Sequence, residues 1–192
     1  MKPKSGLRLP PMLVRAAIAA ALVVALPSVT ALGANTVTQV IAAGSRTASV
    51  ADVTLGALSY SHSAQTNTGT MTLTADDSTG SNLGWNVTIQ SSAFVYSGSG
   101  SGSDIPAANF SLTAAGAATR TAGQAVDALG GPKVPAISPV GTLDSARKVL
   151  QALPLFGNGT YTQSLSVSLS VPADAAAGTY TGTLTTTISA AP

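Results

Sequence analysis

The chain has 192 residues, of which 45% are hydrophobic and only 8% charged, with no cysteine and a formal net charge of +2. That length holds one ordinary domain with a real core and is too short for two large ones. The absence of cysteine excludes both disulfide staples and a lipid-modified cysteine, so packing alone has to stabilise the fold.

The first 34 residues read as a signal peptide. Lys2, Lys4, Arg8 and Arg15 form a basic start, Ala16 to Val29 an apolar run containing Pro27, and Val29-Thr30-Ala31 fits the small-residue rule for cleavage, with Gly33 or Ala34 as alternatives. The apolar run is shorter than the roughly 20 residues a membrane-spanning helix needs. The mature chain is therefore expected to be exported and to have no membrane partner once the leader is gone. Four of the nine basic residues leave with the leader while all seven acidic residues stay, so five against seven gives a net charge of −2. Arg46, Arg120, Lys133, Arg147 and Lys148 are too few and too scattered to track a phosphate backbone, which excludes nucleic acid as a partner. An exported chain of this size without disulfides points to a bacterial origin.

Residues 35–192 form one domain rich in short alternating runs. Strands are expected at Val37 to Ile41, Arg46 to Leu55, Ala57 to His62, Gly69 to Ala75, Gly84 to Gln90, Phe110 to Thr113, Thr160 to Val171 and Gly178 to Ser189. Gly, Asn, Asp and Pro punctuate them, which predicts an all-β antiparallel sandwich, Ig-like or related, with at most one or two short helices. In Ser164 to Val171 four aliphatics alternate with four serines; Pro172 ends the run, and the connection to the last strand predicts a hairpin. Ser97 to Asp104 and Ala114 to Gly141 read as flexible loops, the second with room for a helical turn at Gly123 to Leu129. Thr142 to Gln151 is the better helix candidate, with Thr142 as cap, Asp144 in the first turn and Arg147 and Lys148 near the end.

The inventory for catalysis is thin. His62 is the only histidine and there is no glutamate, and His62 reads as a surface or strand-edge residue. Ser145-Ala146-Arg147-Lys148 matches Ser-x-x-Lys but lacks the partner motifs of that chemistry. Asp76-Asp77 open a polar turn, Asp76 to Asn82, that reads as solvated, with a weak cation site as the alternative. Leu153-Pro154-Leu155-Phe156-Gly157 superficially resembles a wall-sorting signal but lacks its threonine, apolar tail and basic end. Threonine ladders at Thr70, Thr72, Thr74 and at Thr179 to Thr187 read as outward strand residues, not an ice-ordering array. The expectation is a non-enzymatic protein with no cofactor and no metal.

Two segments carry the functional reading: Leu83-Gly84-Trp85-Asn86-Val87-Thr88-Ile89, with the only tryptophan, and Ala177-Gly178-Thr179-Tyr180-Thr181-Gly182-Thr183-Leu184-Thr185-Thr186-Thr187-Ile188. Alternation puts Trp85, Val87 and Ile89 on one face and Tyr180, Leu184, Thr186 and Ile188 on another, with only Thr or Ser at odd positions from 179 to 189. A lone inward tryptophan reads first as a core anchor and second as a ligand platform. Together with Leu73-Thr74-Ala75-Asp76-Asp77, Gly157-Asn158-Gly159-Thr160-Tyr161, Leu169-Ser170-Val171-Pro172 and the terminal Ala191-Pro192, these segments resemble the WxL domain of Gram-positive cell-surface proteins. The resemblance covers nearly the whole mature chain. The first motif here is Trp85-Asn86-Val87 and the second Thr186-Thr187-Ile188, so a small residue stands where the second ring would sit beside Trp85.

The resemblance implies a cell-envelope protein attached non-covalently to the wall through peptidoglycan or another wall polymer, in company with other surface proteins. The alternative is a structural subunit or adhesin assembling by strand exchange, with Val37 to Ile41 as donor. The leader carries its own prediction: the extracellular protein should begin at or shortly after Ala31 to Ala34. Intact-mass spectrometry checks this, and a secreted form that keeps Met1 would contradict it.

Overall fold

The computed structural model describes residues 37–190, so the expected signal peptide and the terminal Ala191-Pro192 lie outside the described residues. The β body starts at Ile41. Its strands are β1 (Arg46–Val50), β2 (Gln65–Asp77), β3 (Trp85–Ser91), β4 (Val95–Ser97), β5 (Phe110–Ala115), β6 (Thr119–Gly123), β7 (Gly141–Thr142), β8 (Arg147–Ala152), β9 (Gly159–Val171), β10 (Thr179–Thr181) and β11 (Leu184–Ala190). One 3-10 turn, Ala107–Asn109, is the only helical element among the described residues. The fold is all-β and antiparallel, as the alternation predicts.

The large sheet runs β1-β2-β9-β5-β7, with β6 also on β9, and the small sheet runs β11-β3-β8. β2 and β9 pair over their whole length, from Gln65 opposite Val171 to Asp77 opposite Gly159. Alternation sends Met71, Leu73 and Ala75 of β2 and Tyr161, Leu165, Val167 and Leu169 of β9 inward. They meet Trp85, Val87 and Ile89 of β3 and Val149, Leu150 and Ala152 of β8 in one core, which makes the two sheets a sandwich. Outward, Thr70, Thr72 and Thr74 stand opposite Ser166, Ser164 and Thr162, a hydroxyl ladder that suits a solvated face. β1 and β11, the edge strands of the two sheets, lie against each other. Arg46 opposite Asp77, and Ala190 opposite Trp85, bring the first and last strand ends to the same pole.

Several expected elements differ. Thr142 to Gln151 is not a helix: β7 ends at Thr142, a turn follows, and β8 pairs with β3. A ten-residue helix is marginal alone, whereas a strand with a bulge buries Val149, Leu150 and Ala152 together with Leu143. Val149 is the extra residue, since Leu150 pairs with Val87 and Lys148 with Thr88. Its free carbonyl accepts from Gln163 Nε2 at 3.0 Å, and the same amide donates to Gly116 O at 2.9 Å. Gln163 thus ties the large sheet to the small one through the core.

The expected loop Ala114 to Gly141 contains β6, which continues alongside β9 after β5, and no helical turn forms at Gly123 to Leu129. Both β5 and β6 reach β9 through a bulge, and a hydroxyl repairs each: Thr113 Oγ1 donates to Ser166 O and Thr121 Oγ1 to Thr160 O, both at 3.0 Å. The expected last strand, Gly178 to Ser189, is two strands. β11 pairs with β3, but β10 pairs with β4 in a separate ribbon, because three residues, 92–94, stand against two, 182 and 183, between the matched pairs. A Cβ on Gly182 would lie 3.1 Å from the Phe94 ring, so glycine lets the chain pass at the break. β9 and the last strand form no hairpin, because β2 occupies one side of β9 and β5 and β6 the other; the 172–178 loop carries the chain from one layer to the ribbon. Val37 to Ile41 forms no strand, and the strand expected to Leu55 ends at Val50. Ala57 to His62 also forms none: the last ladder bond is Ala51 N–H to Thr72 O, after which Leu55 packs over Gly69.

The buried amide gives a stability test. Gln163→Leu leaves two carbonyls without their donor and should cost about 1–3 kcal/mol of unfolding free energy. Chemical denaturation checks it, with an unchanged midpoint as the contrary result.

Candidate functional site

Trp85 opens β3 at the pole where Asp77, Gly159 and Ala190 also lie. Its side chain is fully buried and offers no ring face to solvent. The indole N–H donates to Gly157 O at 2.9 Å, and the ring meets Tyr161 at 6.2 Å between centroids, tilted by 45°. The satisfied donor makes burial of the indole affordable. Two glycines make the approach possible. Gly157 has φ +83 and a Cβ there would sit 2.7 Å from Trp85 Nε1, while at Gly84, φ +70, it would sit 2.6 Å from Ala152 O. The motif glycines on either side of the tryptophan are therefore required by contact.

Gln124 clamps the loop that follows β8. Its N–H donates to Asn158 O at 2.7 Å, its Nε2 to Leu155 O at 3.0 Å, and its Oε1 accepts from Asn158 N–H at 3.3 Å. Tyr161 hydroxyl donates to Gln124 O at 2.7 Å, and burial pushes that hydroxyl above the ordinary phenol range. Leu155 N–H donates to Asn82 O at 2.8 Å, and Asn158 Nδ2 donates to Asn82 Oδ1. Around this scaffold Leu83, Leu153 and Leu155 stay exposed. The sequence did not single them out as surface residues, since a leucine beside glycine or proline reads equally as core.

Val87 and Ile89 are buried beside Trp85, and Leu184, Thr186 and Ile188 are half-buried on the neighbouring strand. Thr186 stands opposite Ile89 and not beside Trp85, whose partner is Ala190. The smaller residue thus leaves no gap at the tryptophan. Tyr180 belongs to the other end of the body: it lies on β10, its ring 5.4 Å from Tyr96, and its hydroxyl donates to Ala176 O.

The Asp76 to Asn82 segment is not a solvated turn throughout. Asp76 and Asp77 end β2, Asp76 accepting from Thr160 Oγ1 at 2.6 Å and Asp77 lying 2% exposed against Arg46 at 2.8 Å. Burial pushes the Asp77 carboxyl up, but the Thr79 hydroxyl, the Arg46 guanidinium and the Thr79 N–H together hold it below the usual carboxylate range. Among the described residues no three His, Cys, Asp or Glu side chains gather to hold a metal ion. His62 is exposed, with Nδ1 2.5 Å from Asp174 Oδ1. Lys148 lies on strand β8, so Ser145 and Lys148 do not share the helix that a Ser-x-x-Lys pair uses.

These observations define a β-sandwich whose tryptophan and flanking glycines organise one pole. The chain matches the family model described as WxL domain, surface cell wall-binding, over residues 33–192, and it belongs to that family. No curated protein and no solved structure matches it.

Two predictions follow from the pole. Trp85→Ala should cost about 3–5 kcal/mol by removing a packed ring, and Trp85→Phe about 1–3 kcal/mol through the unpaired Gly157 carbonyl; equal midpoints in denaturant for all three proteins would refute this. Because the folded pKa of Asp77 is depressed, its contribution should be complete above the unfolded value of about 4 and be lost as pH falls through the folded value. Thermal unfolding of the wild type and of Asp77→Asn should therefore converge as pH falls from about 4 through the folded value.

Proposed function

We propose that the protein is exported and held on the cell wall without a covalent bond, with the peptidoglycan as its ligand. The observation that carries this reading is the match to a surface cell wall-binding family across residues 33–192. The basic and apolar order of residues 1–34 supports export. The fold gives Leu153 to Gly157 a structural task instead of a sorting one: it serves the tryptophan pole, with Gly157 O taking the indole N–H and Leu155 N–H bonded to Asn82. Trp85, Val87 and Ile89, with Leu184, Thr186 and Ile188, act in this reading as the scaffold that fixes the surface, not as the contact itself.

With a mature net charge of −2, general attraction to an anionic wall contributes nothing, so binding comes from hydrogen bonds and stacking. Sedimentation with purified walls should retain the mature protein, and the bound fraction should change less than about twofold between low and high salt. Protein left in the supernatant at both salts, eluting as large oligomers, would replace this reading with the strand-exchanging subunit.

A further inference from the structure

A groove of about 670 Å³ lies at the end of the body opposite Trp85. One wall is the irregular segment 53–61, the other is the 175–182 stretch that includes β10, and the floor holds Asn67, Phe94, Ile105 and Leu169. Three features stand out. None of the lining side chains is charged. Among the described residues, the backbone from Val53 to Tyr60 makes a single hydrogen bond, Asn67 Nδ2 to Gly56 O, so its other peptide donors and acceptors are open to solvent. And the Tyr60 ring, 58% exposed, stands at the rim, held by its hydroxyl donating to Asp174 Oδ1 at 3.0 Å. That bond, with Asp174 N–H to Ser61 O at 2.9 Å, fastens the two walls together at one end.

We infer that this groove binds a neutral polysaccharide chain of N-acetylated sugars. The inference rests on the wall-binding reading for the source of the ligand, and it selects the glycan strand over the other wall components. Stem peptides and anionic wall polymers carry charges for which the lining offers no partner, and the Asp174 carboxylate at the rim repels the anionic ones. A sugar chain presents hydroxyls and acetamide groups to the free peptide groups and an apolar ring face to Tyr60, and the volume falls in the range of small-ligand sites.

The probe is the soluble tetramer of N-acetylglucosamine, titrated into the isotope-labelled mature chain and followed by amide chemical shifts, alongside wall sedimentation. Shifts should concentrate at residues 53–61 and 175–182 and leave the Trp85 indole signal in place. Gly56→Phe adds a ring to the groove wall at a position where the nearest atom to a Cβ is Asn67 Oδ1 at 4.0 Å, so the Cβ itself meets no clash. Gly56→Phe and Tyr60→Ala should each weaken both tetramer and wall binding about tenfold, while Tyr60→Phe, which loses the same Asp174 bond and therefore controls for any change in melting temperature, keeps binding because stacking, not the hydroxyl, makes the contact. Should Gly56→Phe fail to fold, Tyr60→Ala alone decides. Walls bound equally by wild type and both variants, or shifts at the Trp85 pole, would overturn the groove and leave wall binding intact. Tetramer bound in the groove by a protein that walls do not retain would uphold the groove and sink the wall reading. Oligomers dissolved by Gly56→Phe, with shifts from a 35–45 peptide and none from the sugar, would overturn it in favour of a segment from a second copy.

Discussion

Everything in this fold takes its place from the register of β2 on β9. A slip of one residue would turn Leu73, Tyr161 and Leu165 to water and bring the Thr and Ser rows into the core, so a single pairing is strongly favoured. β9 then dictates the rest of the large sheet, because β5 and β6 both lie on its other side. It also reaches the opposite layer twice, through Gln163 to the bulged Val149 and through Tyr161 to the Trp85 ring. The small sheet is thus located by two contacts from one strand. A polar one fixes the bulge and an aromatic one fixes the pole.

The tryptophan motif and the family motif around Gly157 to Tyr161 turn out to be two halves of one contact. Both halves are occupied with each other. The indole is consumed by packing and by its bond to Gly157 O, and the glycines exist to let the two backbones approach. Exposed leucines stand at that pole beside the polar turn from Ser78 to Asn82, and an exposed tyrosine and unpaired peptide backbone stand at the other. The division separates the part of the molecule that holds its shape from the part with unspent hydrogen-bonding capacity.

The class of fold and most strands were legible because their alternation is strict, as in Ser164 to Val171 and Trp85 to Ile89. What was not legible depended on partners far away in sequence. Thr142 to Gln151 has a cap, a first-turn acid and terminal basic residues, and reads as a helix until the open edge of β3 claims it. The break at Gly182 depends on a mismatch with residues 92–94 that no local pattern records. Asp77 looked like part of a solvated turn because its partner, Arg46, lies 31 positions earlier. For the candidate site, alternation correctly set the faces of Trp85 and Leu184, but the partner of Thr186 follows from strand register, which alternation alone leaves free.

The convergence of Arg46 and Ala190 on one pole has a practical side. β2 spans twelve steps from Asp77 to Gln65, roughly 40 Å of extended chain, so Arg46 and Ala190 lie far from the groove. A fluorophore, an affinity handle or a solid support attached at the Arg46 or Ala190 position therefore leaves the 53–61 wall unobstructed. Immobilised this way, every molecule would present the same end outward, as a uniformly oriented layer.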